Sequence, residues 1–427
     1  MSSTQITASI LTIGDELLIG QTIDTNSAWM AQELNRIGIW VRRRVAVGDE
    51  RSAIWEALDQ ELKDADILLI TGGLGPTADD ITKPLLCDYF GGKMVVNQQA
   101  LEHVRRVFEE ILKRPLLERN LKQAEVPDNC EVLLNKRGTA PGMWFLQEAN
   151  NHRGKRIIIS LPGVPHEMKG LMTDLVLEKL KTSFQLPIIL HRTLLTAGAG
   201  ESFIAERIQN WEAELPPSVK LAYLPSFGMV RLRLTGTVTI ENLKEFPIDR
   251  LFEELKEKVQ DILVVDQDIR LEEKMGQLLI ASGKTIATAE SCSGGYIAHL
   301  LTSVPGSSAY YKGSVVAYSY DAKEKLLGVA PQTLLSKGAV SKETVEEMLH
   351  GLLKNTGADV GIATSGIMGP EGGTPDKPVG TAWVAVGTLK NTITTCFHFR
   401  FDRLKNIQLT AAHALLFLMR FLQQEEI

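Results

Sequence analysis

The sequence lacks the features of several large protein classes. It has four cysteines, which lie far apart and match neither a disulfide framework nor a zinc site: Cys87, Cys130, Cys292 and Cys396. No stretch approaches the ~18 uncharged apolar residues of a membrane span. The N-terminus has neither the basic start nor the long apolar run of a signal peptide. We therefore expect a cytoplasmic protein that does not enter a membrane.

The chain also lacks an excess of basic residues. It contains 46 Lys and Arg residues against 52 Asp and Glu residues, which gives a net charge of −6. Proteins built to hold nucleic acid normally carry a strongly basic domain, so nucleic acid is not an expected partner. Small-molecule nucleotides remain compatible with this charge, because a phosphate site needs only a few local donors.

The length and the pattern of apolar runs indicate an α/β protein of several domains. The chain has 427 residues, more than the ~250–300 at which a single core stops growing. In residues 1–170, strand-like runs alternate with helical stretches, which predicts a doubly wound sheet. Residues 171–262 indicate a small α+β module, and residues 263–427 indicate a further α/β domain. The predicted strands include Trp40–Val47, Asp66–Thr71, Ile188–Ala197, Ser314–Tyr318 and Val360–Thr364.

Three segments of the first domain place glycines and acids directly after predicted strands: residues 13–17, 71–82 and 160–168. Ligands of open α/β sheets bind beyond the carboxyl ends of the strands, where glycines let backbone N–H groups approach phosphate. Acidic side chains at that edge can hold a divalent metal. A Gly-Gly-x-Gly turn is equally compatible with a simple tight turn, and Asp79 or Asp80 is equally suited to cap a helix. Both interpretations stay open at this point.

Four motifs of this domain, GDELLIG, TNSAWMAQEL, GGLGPTADDIT and LPGVPHEM, resemble the molybdopterin-binding fold family, in the branch that forms the front of CinA proteins. The resemblance covers residues 6–170 and implies a metal-dependent ADP-ribose pyrophosphatase. A pterin- or nucleotide-binding module without turnover is the alternative. The resemblance implies that a divalent metal is held by Asp80, Asp49 and Asp15. It implies that substrate is bound by Gly72, Gly73, Gly75, Thr77 and Asn26.

The last domain contains the motif AESCSGG at residues 289–295, between a predicted strand and a predicted helix. A serine on such a turn can act as a nucleophile, and nearby N–H groups can stabilise an oxyanion. Alternatively, Ser291 or Ser293 caps the helix. Cys292 is either a nucleophile or a small buried filler. No histidine lies in a Gly-rich loop of this domain, so the candidate base is Lys323, unless that lysine is simply a solvated helix residue.

Six motifs in order, AESCSGG, GSVVAYSYDAK, GAVS, SGIMGPEGG, KPVGTAWVAV and DR, resemble the CinA C-terminal family of nicotinamide-nucleotide amidases. The resemblance covers residues 265–427. It implies hydrolysis of nicotinamide mononucleotide to nicotinate mononucleotide and ammonia, without a cofactor. Ser291 matches the nucleophile and Lys323 its general base. Other implied site residues are Tyr318 and Ser365, which relay protons or position the amide, Arg403, which holds the 5′-phosphate, and Gly294 and Gly366, which bind substrate.

Two departures from this pattern are visible. Ser293 stands where a threonine is commoner, and Tyr320 stands where an asparagine is commoner. Neither departure removes a catalytic role, and we expect Tyr320 to alter the wall of the pocket. Between the two outer domains the family places a KH-like module. Residues 198–201, Gly-Ala-Gly-Glu, carry an acid where contact with RNA would require a cation, so RNA binding is the weaker interpretation. The resemblance further implies a homodimer.

Overall fold

The computed structural model describes residues 5–75, 77, 80–148, 154–226 and 228–425. The chain divides into two compact units. The first comprises Met1–His191, Pro216–Lys220 and Thr235–Ile248, and the second comprises Arg192–Leu215, Leu221–Leu234 and Asp249–Ile427. The architecture is mixed α/β throughout, as the sequence predicts. The domain boundaries after residues 170 and 262 stay predictions.

The first unit is built on a sheet of six strands. The strands of the N-terminal part are β1 (Thr7–Ile13), β2 (Trp40–Val47), β3 (Ile67–Thr71), β4 (Met94–Val96), β5 (Glu125–Pro127), β6 (Glu131–Leu133), β7 (Gly142–Glu148) and β8 (Lys155–Leu161). The sheet order is β2-β1-β3-β8-β7-β6. The first four of these strands run parallel to one another. β7 pairs antiparallel with β8, and β6 pairs antiparallel with β7. β4 and β5 form a separate two-stranded ribbon.

The helices of this part of the chain are α1 (Asp15–Leu18), α2 (Thr25–Arg36), α3 (Arg51–Asp64), α4 (Thr82–Tyr89), α5 (Gln98–Arg106), α6 (Glu118–Leu121), α7 (Pro165–Leu171) and α8 (Leu177–Ser183). Helices α2, α7 and α8 pack on one face of the sheet, and α3 and α4 pack on the other. Along β3, Ile67 and Leu69 enter one apolar core, and Leu68 and Ile70 enter the other. A strand buried on both faces requires such a continuous apolar run, and this run is what the sequence shows.

A four-stranded sheet follows, with the order β10-β11-β9-β12. Its strands are β9 (Ile188–Ala197), β10 (Val219–Ser226), β11 (Met229–Val238) and β12 (Leu263–Val265). The helices along this part of the chain are α9 (Glu201–Ala213) and α10 (Ile248–Lys258). In β11 buried residues alternate with partly exposed ones, which is typical of a sheet with one covered face.

The last part of the chain forms a five-stranded sheet, β14-β13-β15-β16-β17. Its strands are β13 (Ile286–Glu290), β14 (Tyr311–Val316), β15 (Val360–Gly366), β16 (Thr381–Gly387) and β17 (Thr392–His398). β13 runs parallel to both β14 and β15, and the other two pairings are antiparallel. The carboxyl ends of β14, β13 and β15 therefore meet at one edge of the sheet.

Helices also cover both faces of this second α/β sheet. They are α11 (Leu271–Ala281), α12 (Tyr296–Thr302), α13 (Tyr320–Leu327), α14 (Pro331–Lys337), α15 (Lys342–Thr356) and α16 (Arg403–Glu425). Val360 and Ile362 of β15 share one core with α16, whereas Ala363 shares the other core with α15. No helix within the described residues is long and apolar enough to span a membrane.

Gly351 is the point at which α15 approaches the end of α13. A Cβ atom on Gly351 would lie 1.7 Å from the backbone oxygen of Leu327 and 2.6 Å from its carbonyl carbon. Both atoms belong to the main chain, so a side-chain rotation cannot relieve the clash. The distance between α15 and α13, the helix that carries Lys323, thus depends on a residue without a side chain.

We expect Gly351→Ala to destabilise the protein by about 1–3 kcal/mol, because overpacking outweighs the ~1 kcal/mol that alanine gains over glycine in a helix. The measurement is the thermal unfolding midpoint, which should fall. His350→Ala, an exposed change on the same helix, is the control and should leave the midpoint nearly unchanged. Equal or higher stability of Gly351→Ala would contradict the clash.

Candidate active site

Ser291 lies at the edge where the parallel strands of the second α/β sheet end. β13 ends at Glu290, and the turn of residues 291–295 leads into α12. The Ser291 backbone N–H donates to the carbonyl oxygen of Thr364 on neighbouring β15, at 2.9 Å. This bond fixes the start of the turn against the sheet, and the Ser291 side chain is left 8% exposed at the sheet edge.

Lys323 lies on α13, which follows β14, and its side chain contacts Ser291. Ser319 caps α13 by accepting from the Ala322 N–H, and Lys323 follows in the next turn. Its Nζ lies 2.9 Å from Ser291 Oγ and 2.8 Å from the carbonyl oxygen of Ala317. Lys323 is 1% exposed, so it is not the solvated helix residue that the sequence also allowed.

Burial also affects the pKa of this lysine. Desolvation disfavours the ammonium form and holds the pKa of Lys323 below its usual range. The Ala317 carbonyl can accept an N–H from the neutral amine as well as from the ammonium. The nitrogen lone pair of the neutral amine is then available to accept the Ser291 hydroxyl proton. The pair has the composition of a nucleophile and its general base.

The neighbouring residues of the turn are placed differently. Burial raises the pKa of the Cys292 thiol to about 12, which keeps it protonated and a poor nucleophile. The Ser293 hydroxyl is buried and lies 2.7 Å from Thr364 Oγ1. Of the three candidates in the AESCSGG motif, Ser291 is the one whose side chain hydrogen-bonds Lys323.

Neither serine caps α12, so the helix-cap interpretation of this motif is wrong. The helix begins at Tyr296, its N-cap residue is Gly295, and no side chain at the cap position bonds the helix. The free N–H groups are taken instead by the side chain of Glu290, which receives hydrogen bonds from Gly295, Ile297 and Ala298. Sequence analysis gave Glu290 no role, although an acid ending an apolar strand was a visible signal.

Arg403 and Tyr318 form a second group at the same end of the sheet. Arg403 begins α16, and its Nη2 donates to Tyr318 Oη at 2.7 Å while its Nη1 donates to the Gly369 carbonyl at 2.8 Å. Tyr318 is 62% exposed. The guanidinium is thereby held between the chain after β14 and the loop after β15, with exposed surface available to an anion.

The other predicted residues of this domain lie on the same loops. Ser365 is buried, and its hydroxyl donates to the Ala339 carbonyl at 2.7 Å, so its proton is directed to the GAVS segment. Gly294 is exposed in the turn with a φ of +61°. Gly366 ends β15, where a Cβ atom would lie 2.5 Å from the Thr381 carbonyl oxygen. The backbone approaches closely at that position, which excludes larger residues.

Asn406 is a further residue that sequence analysis missed. It is fully buried on α16, and its Nδ2 donates to the carbonyl oxygens of Met368, at 3.0 Å, and Phe401, at 2.8 Å. These bonds tie the loop after β15 to the turn that precedes Arg403. The available signal was an amide within the otherwise apolar face of an amphipathic helix.

The N-terminal loops also converge at the carboxyl edge of their sheet. The Asn26 Nδ2 donates to the Gly163 carbonyl at 2.7 Å and lies 3.4 Å from Thr71 Oγ1. Gly72 has a φ of +115°, and a Cβ atom there would lie 2.2 Å from the Ile13 carbonyl oxygen. Thus α2 and the segments after β1, β3 and β8 pack together, as the sequence predicts for a ligand site.

The Asp80 carboxylate organises its own loop. Its Oδ1 accepts from the Gly75 N–H at 2.7 Å, and its Oδ2 accepts from the Thr77 N–H at 2.8 Å and from the Thr77 hydroxyl. Gly73 packs with a φ of +64° against Thr82. α4 begins at Thr82 with Ile81 at its N-cap, so Asp80 does not cap that helix; Asp79 lies outside the described residues.

Asp15 and Asp49 form a pair at the ends of β1 and β2. The Asp15 N–H donates to Asp49 Oδ2 at 3.0 Å, and the Asp49 N–H donates to Asp15 Oδ1 at 3.1 Å. Within the described ranges, no group of three or more His, Cys, Asp or Glu side chains could hold a metal ion. Magnesium commonly takes one or two protein carboxylates together with substrate phosphates. The Asp15–Asp49 pair fits that pattern, whereas Asp80 belongs to a separate loop.

Lys83 is a buried cation behind the Asp80 loop that sequence analysis did not consider. Its Nζ donates to the Gln123 carbonyl at 3.0 Å. Desolvation lowers the pKa of Lys83 to about 8, against the opposing effect of the Glu125 and Asp80 carboxylates. The ammonium therefore links α4 to the chain that precedes β5.

Comparison with protein families gives three matches in the order that the sequence motifs predict. Residues 9–182 match the family described as "Probable molybdopterin binding domain". Residues 191–264 match the "Damage-inducible protein CinA KH domain", and residues 268–422 match the "CinA C-terminal domain". All three α/β parts of the predicted architecture are thus accounted for.

Individual relatives match nearly the whole chain. A "CinA-like protein" from Cytophaga hutchinsonii is 47% identical over 430 residues, which covers 99% of each chain. A "CinA-like protein" from Flavobacterium psychrophilum is 44% identical over 409 residues, covering 96% of each. The crystal structure of a CinA superfamily protein from Klebsiella pneumoniae is 36% identical, with a TM-score of 0.35, and the match covers 36% of this chain and 96% of that one. The two nearly full-length matches to the CinA-like proteins show that the chain belongs to the CinA family.

Proposed function

We propose that the C-terminal domain is an amidase that hydrolyses nicotinamide mononucleotide to nicotinate mononucleotide and ammonia. The observation that carries this proposal is the 2.9 Å contact between Ser291 Oγ and the Nζ of buried Lys323. The nearby Arg403 guanidinium suits the 5′-phosphate, because its planar fork binds phosphate oxygens bidentately. The substrate itself is taken from the resemblance to nicotinamide-nucleotide amidases.

The reaction uses the neutral form of Lys323. The amine accepts the Ser291 hydroxyl proton as Oγ bonds to the carboxamide carbon, which gives a tetrahedral intermediate. The C–N bond then breaks, and the Lys323 ammonium returns its proton to the leaving nitrogen, which departs as ammonia. Water attacks the acyl-serine in the second half, transfers a proton to Lys323 and releases the carboxylate, after which Ser291 regains its proton.

Backbone donors of the turn complete this site. The Ser291 N–H is bonded to the Thr364 carbonyl, and the Gly294 N–H is bonded to the Ser291 carbonyl. Within the described part of the chain, no hydrogen-bond acceptor in another residue is recorded for the N–H groups of Cys292 and Ser293. These two groups follow the nucleophile directly, so we assign them to the developing oxyanion.

We propose a second activity, metal-dependent cleavage of the pyrophosphate of ADP-ribose, for the N-terminal domain. The Asn26 contacts that join α2 to the end of β3 and to the loop after β8 favour a phosphate-bearing ligand at this sheet edge. Asp15 and Asp49 would hold the divalent metal, which when bound neutralises phosphate charge and acidifies a bound water. Asp80 and the glycines of its loop would hold the phosphates. A binding module without turnover is the competing outcome.

Location, ligand class and oligomeric state are also part of the proposal. We propose that the protein acts in the cytoplasm on small-molecule nucleotides and assembles as a homodimer, as the family resemblance implies. No nucleic-acid contact is proposed for the middle module. The acidic Glu201 in the first turn of α9 weakens any backbone contact with RNA at that position.

Replacing the nucleophile should abolish ammonia release. Ser291→Ala is expected to lower kcat with nicotinamide mononucleotide by at least ~10³-fold, as removal of a nucleophile does in serine hydrolases. Ser293→Ala is the matched control in the same turn and should retain most activity. The measurement is ammonia released by each purified protein. Near-normal turnover by Ser291→Ala would show that the nucleophile is another residue.

The activity should depend on the protonation of Lys323. Only the neutral amine accepts a proton, and its fraction grows as the pH rises through the lysine pKa. We therefore expect kcat/KM to increase with pH and then level off, with a midpoint below the ~10.4 of an ordinary lysine. Lys323→Met should lose this rising limb together with the activity. A wild-type profile that falls with rising pH would contradict the assignment of the base.

The two carboxylate sites of the N-terminal domain should respond differently when an aspartate is replaced by asparagine. Asp15→Asn should weaken metal binding and lower ADP-ribose cleavage by at least ~10-fold, with recovery at high metal concentration. Asp80→Asn should weaken ADP-ribose binding itself, because its loop loses an acceptor, and added metal should not restore cleavage. The exposed Asp88→Asn, which alters a surface ion pair with Arg51, is the control. Equal metal rescue of both variants would contradict separate roles.

A further inference from the structure

Glu290 is a buried carboxylate for which the proposed reaction has no chemical use. It is the last residue of β13, stands directly before Ser291 and is fully buried. Its Oε2 accepts from the N–H groups of Gly295 at 3.0 Å and Ile297 at 3.1 Å. Its Oε1 accepts from the Ala298 N–H at 2.8 Å. One side chain thus bonds three backbone groups beyond the turn.

These bonds stabilise both the N–H groups at the start of the helix and the buried carboxylate. The first N–H groups of a helix have no partner within the helix, and a buried orphan donor is costly. A buried carboxylate without donors is also costly. Here the carboxylate faces the positive end of α12, so each group compensates the other. The arrangement is stable only while the strand end and the helix start keep their present spacing.

The turn of residues 291–295 is the chain enclosed by these bonds. Its first residue is held by the Ser291 N–H bond to Thr364, and its last residue is held by the Gly295 N–H bond to Glu290. The turn therefore lies between two fixed points, one on β15 and one at the end of β13. The direction of Ser291 Oγ is therefore coupled to the Glu290 carboxylate.

The main chain of the same residue also fixes the position of the base. The Glu290 carbonyl oxygen accepts from the Ala317 N–H at 2.9 Å. The Ala317 carbonyl in turn accepts from Lys323 Nζ at 2.8 Å. Glu290 consequently contacts the nucleophile segment through its side chain and the lysine segment through its backbone.

Two hydroxyls lie behind the carboxylate, that of buried Thr288 and that of exposed Ser314. Thr288 Oγ1 lies 3.1 Å from Glu290 Oε1 and 2.8 Å from Ser314 Oγ. The single proton of the Thr288 hydroxyl thus has two acceptors within reach, Glu290 Oε1 and Ser314 Oγ. The network runs from β14 through β13 to the start of α12.

We propose that the Glu290 carboxylate is a positioning group, which holds the turn so that Ser291 Oγ meets Lys323 Nζ. This inference rests on the proposed amidase function. Glu290 does not touch the reacting atoms, and it acts on the rate through the geometry of Ser291. A misplacement of about 1 Å at a reacting group can cost ~10²-fold in rate.

The test is Glu290→Gln, which keeps the shape of the side chain but replaces one acceptor oxygen by a donor NH₂ group. We expect kcat for ammonia release to fall by ~10–100-fold, with KM close to the wild-type value because Arg403 and the loop after β15 are untouched. In hydrogen exchange, the amides of Gly295, Ile297 and Ala298 should exchange faster than in the wild type. Glu272→Gln, another buried carboxylate of the same unit, should change neither kcat nor these amides.

A milder pair of variants decides the question if Glu290→Gln does not fold. Thr288→Val removes the hydroxyl that orients the carboxylate and should lower kcat with KM unchanged. Thr288→Ser keeps the hydroxyl and should retain the wild-type kcat. Wild-type kcat and wild-type exchange in Glu290→Gln would overturn the inference. In the pair, a wild-type kcat for Thr288→Val would do the same.

Failure of the proposed function gives a separate result. If the wild-type protein releases no ammonia, the amidase proposal fails, and the exchange rates of residues 295–298 in Glu290→Gln still decide whether the carboxylate holds the turn. Unchanged exchange would overturn the inference. Faster exchange, together with slower labelling of Ser291 by a fluorophosphonate probe, would support it.

Discussion

The burial of Lys323 against Ser291 is the constraint on which the C-terminal site depends. An amine removed from water resists protonation, and only an unprotonated amine can take a proton from a serine. The Ala317 carbonyl satisfies the amine in place of water, at 2.8 Å. That carbonyl is in place because Ala317 is bonded to the end of β13. The position of the Lys323 amine beside Ser291 therefore depends on main-chain contacts between the end of β13 and the segment after β14.

Both α/β sheets of the chain present loops at the carboxyl edges of parallel strands, but they use their charges differently. In the C-terminal domain, the loops bring an amine, a hydroxyl and a guanidinium to one edge. In the N-terminal domain, carboxylates largely bond backbone N–H groups: Asp80 organises its own loop, and Asp15 and Asp49 hold each other's main chain. Such carboxylates keep further lone pairs for a metal or a water, which is compatible with a phosphate-bearing substrate.

Sequence patterns located some strands with their observed bounds and missed or misplaced others. Trp40–Val47 and Ile188–Ala197 were predicted with the bounds that the structure has. Thr392–His398 was not predicted, because this edge strand is only half buried and rich in threonine. Ser314–Tyr318 was predicted too late in the chain, since the strand ends at Val316 and Ser319 already caps the next helix. Local pattern cannot show which polar residue turns out of a sheet.

The sequence by itself determined the α/β class, the glycine-rich loops after apolar strands and the order of motifs that assigns the chain to its family. Through the resemblance to the CinA C-terminal family, it also singled out Ser291, Lys323 and Arg403. Only the tertiary structure decided that Lys323 is buried and that Glu290, not a serine, holds the start of α12. It also decided that, within the described residues, Asp15, Asp49 and Asp80 do not form one metal-binding group. Each of these facts depends on contacts between segments distant in sequence. Those contacts arise from the order in which strands pair, which no local pattern of residues encodes.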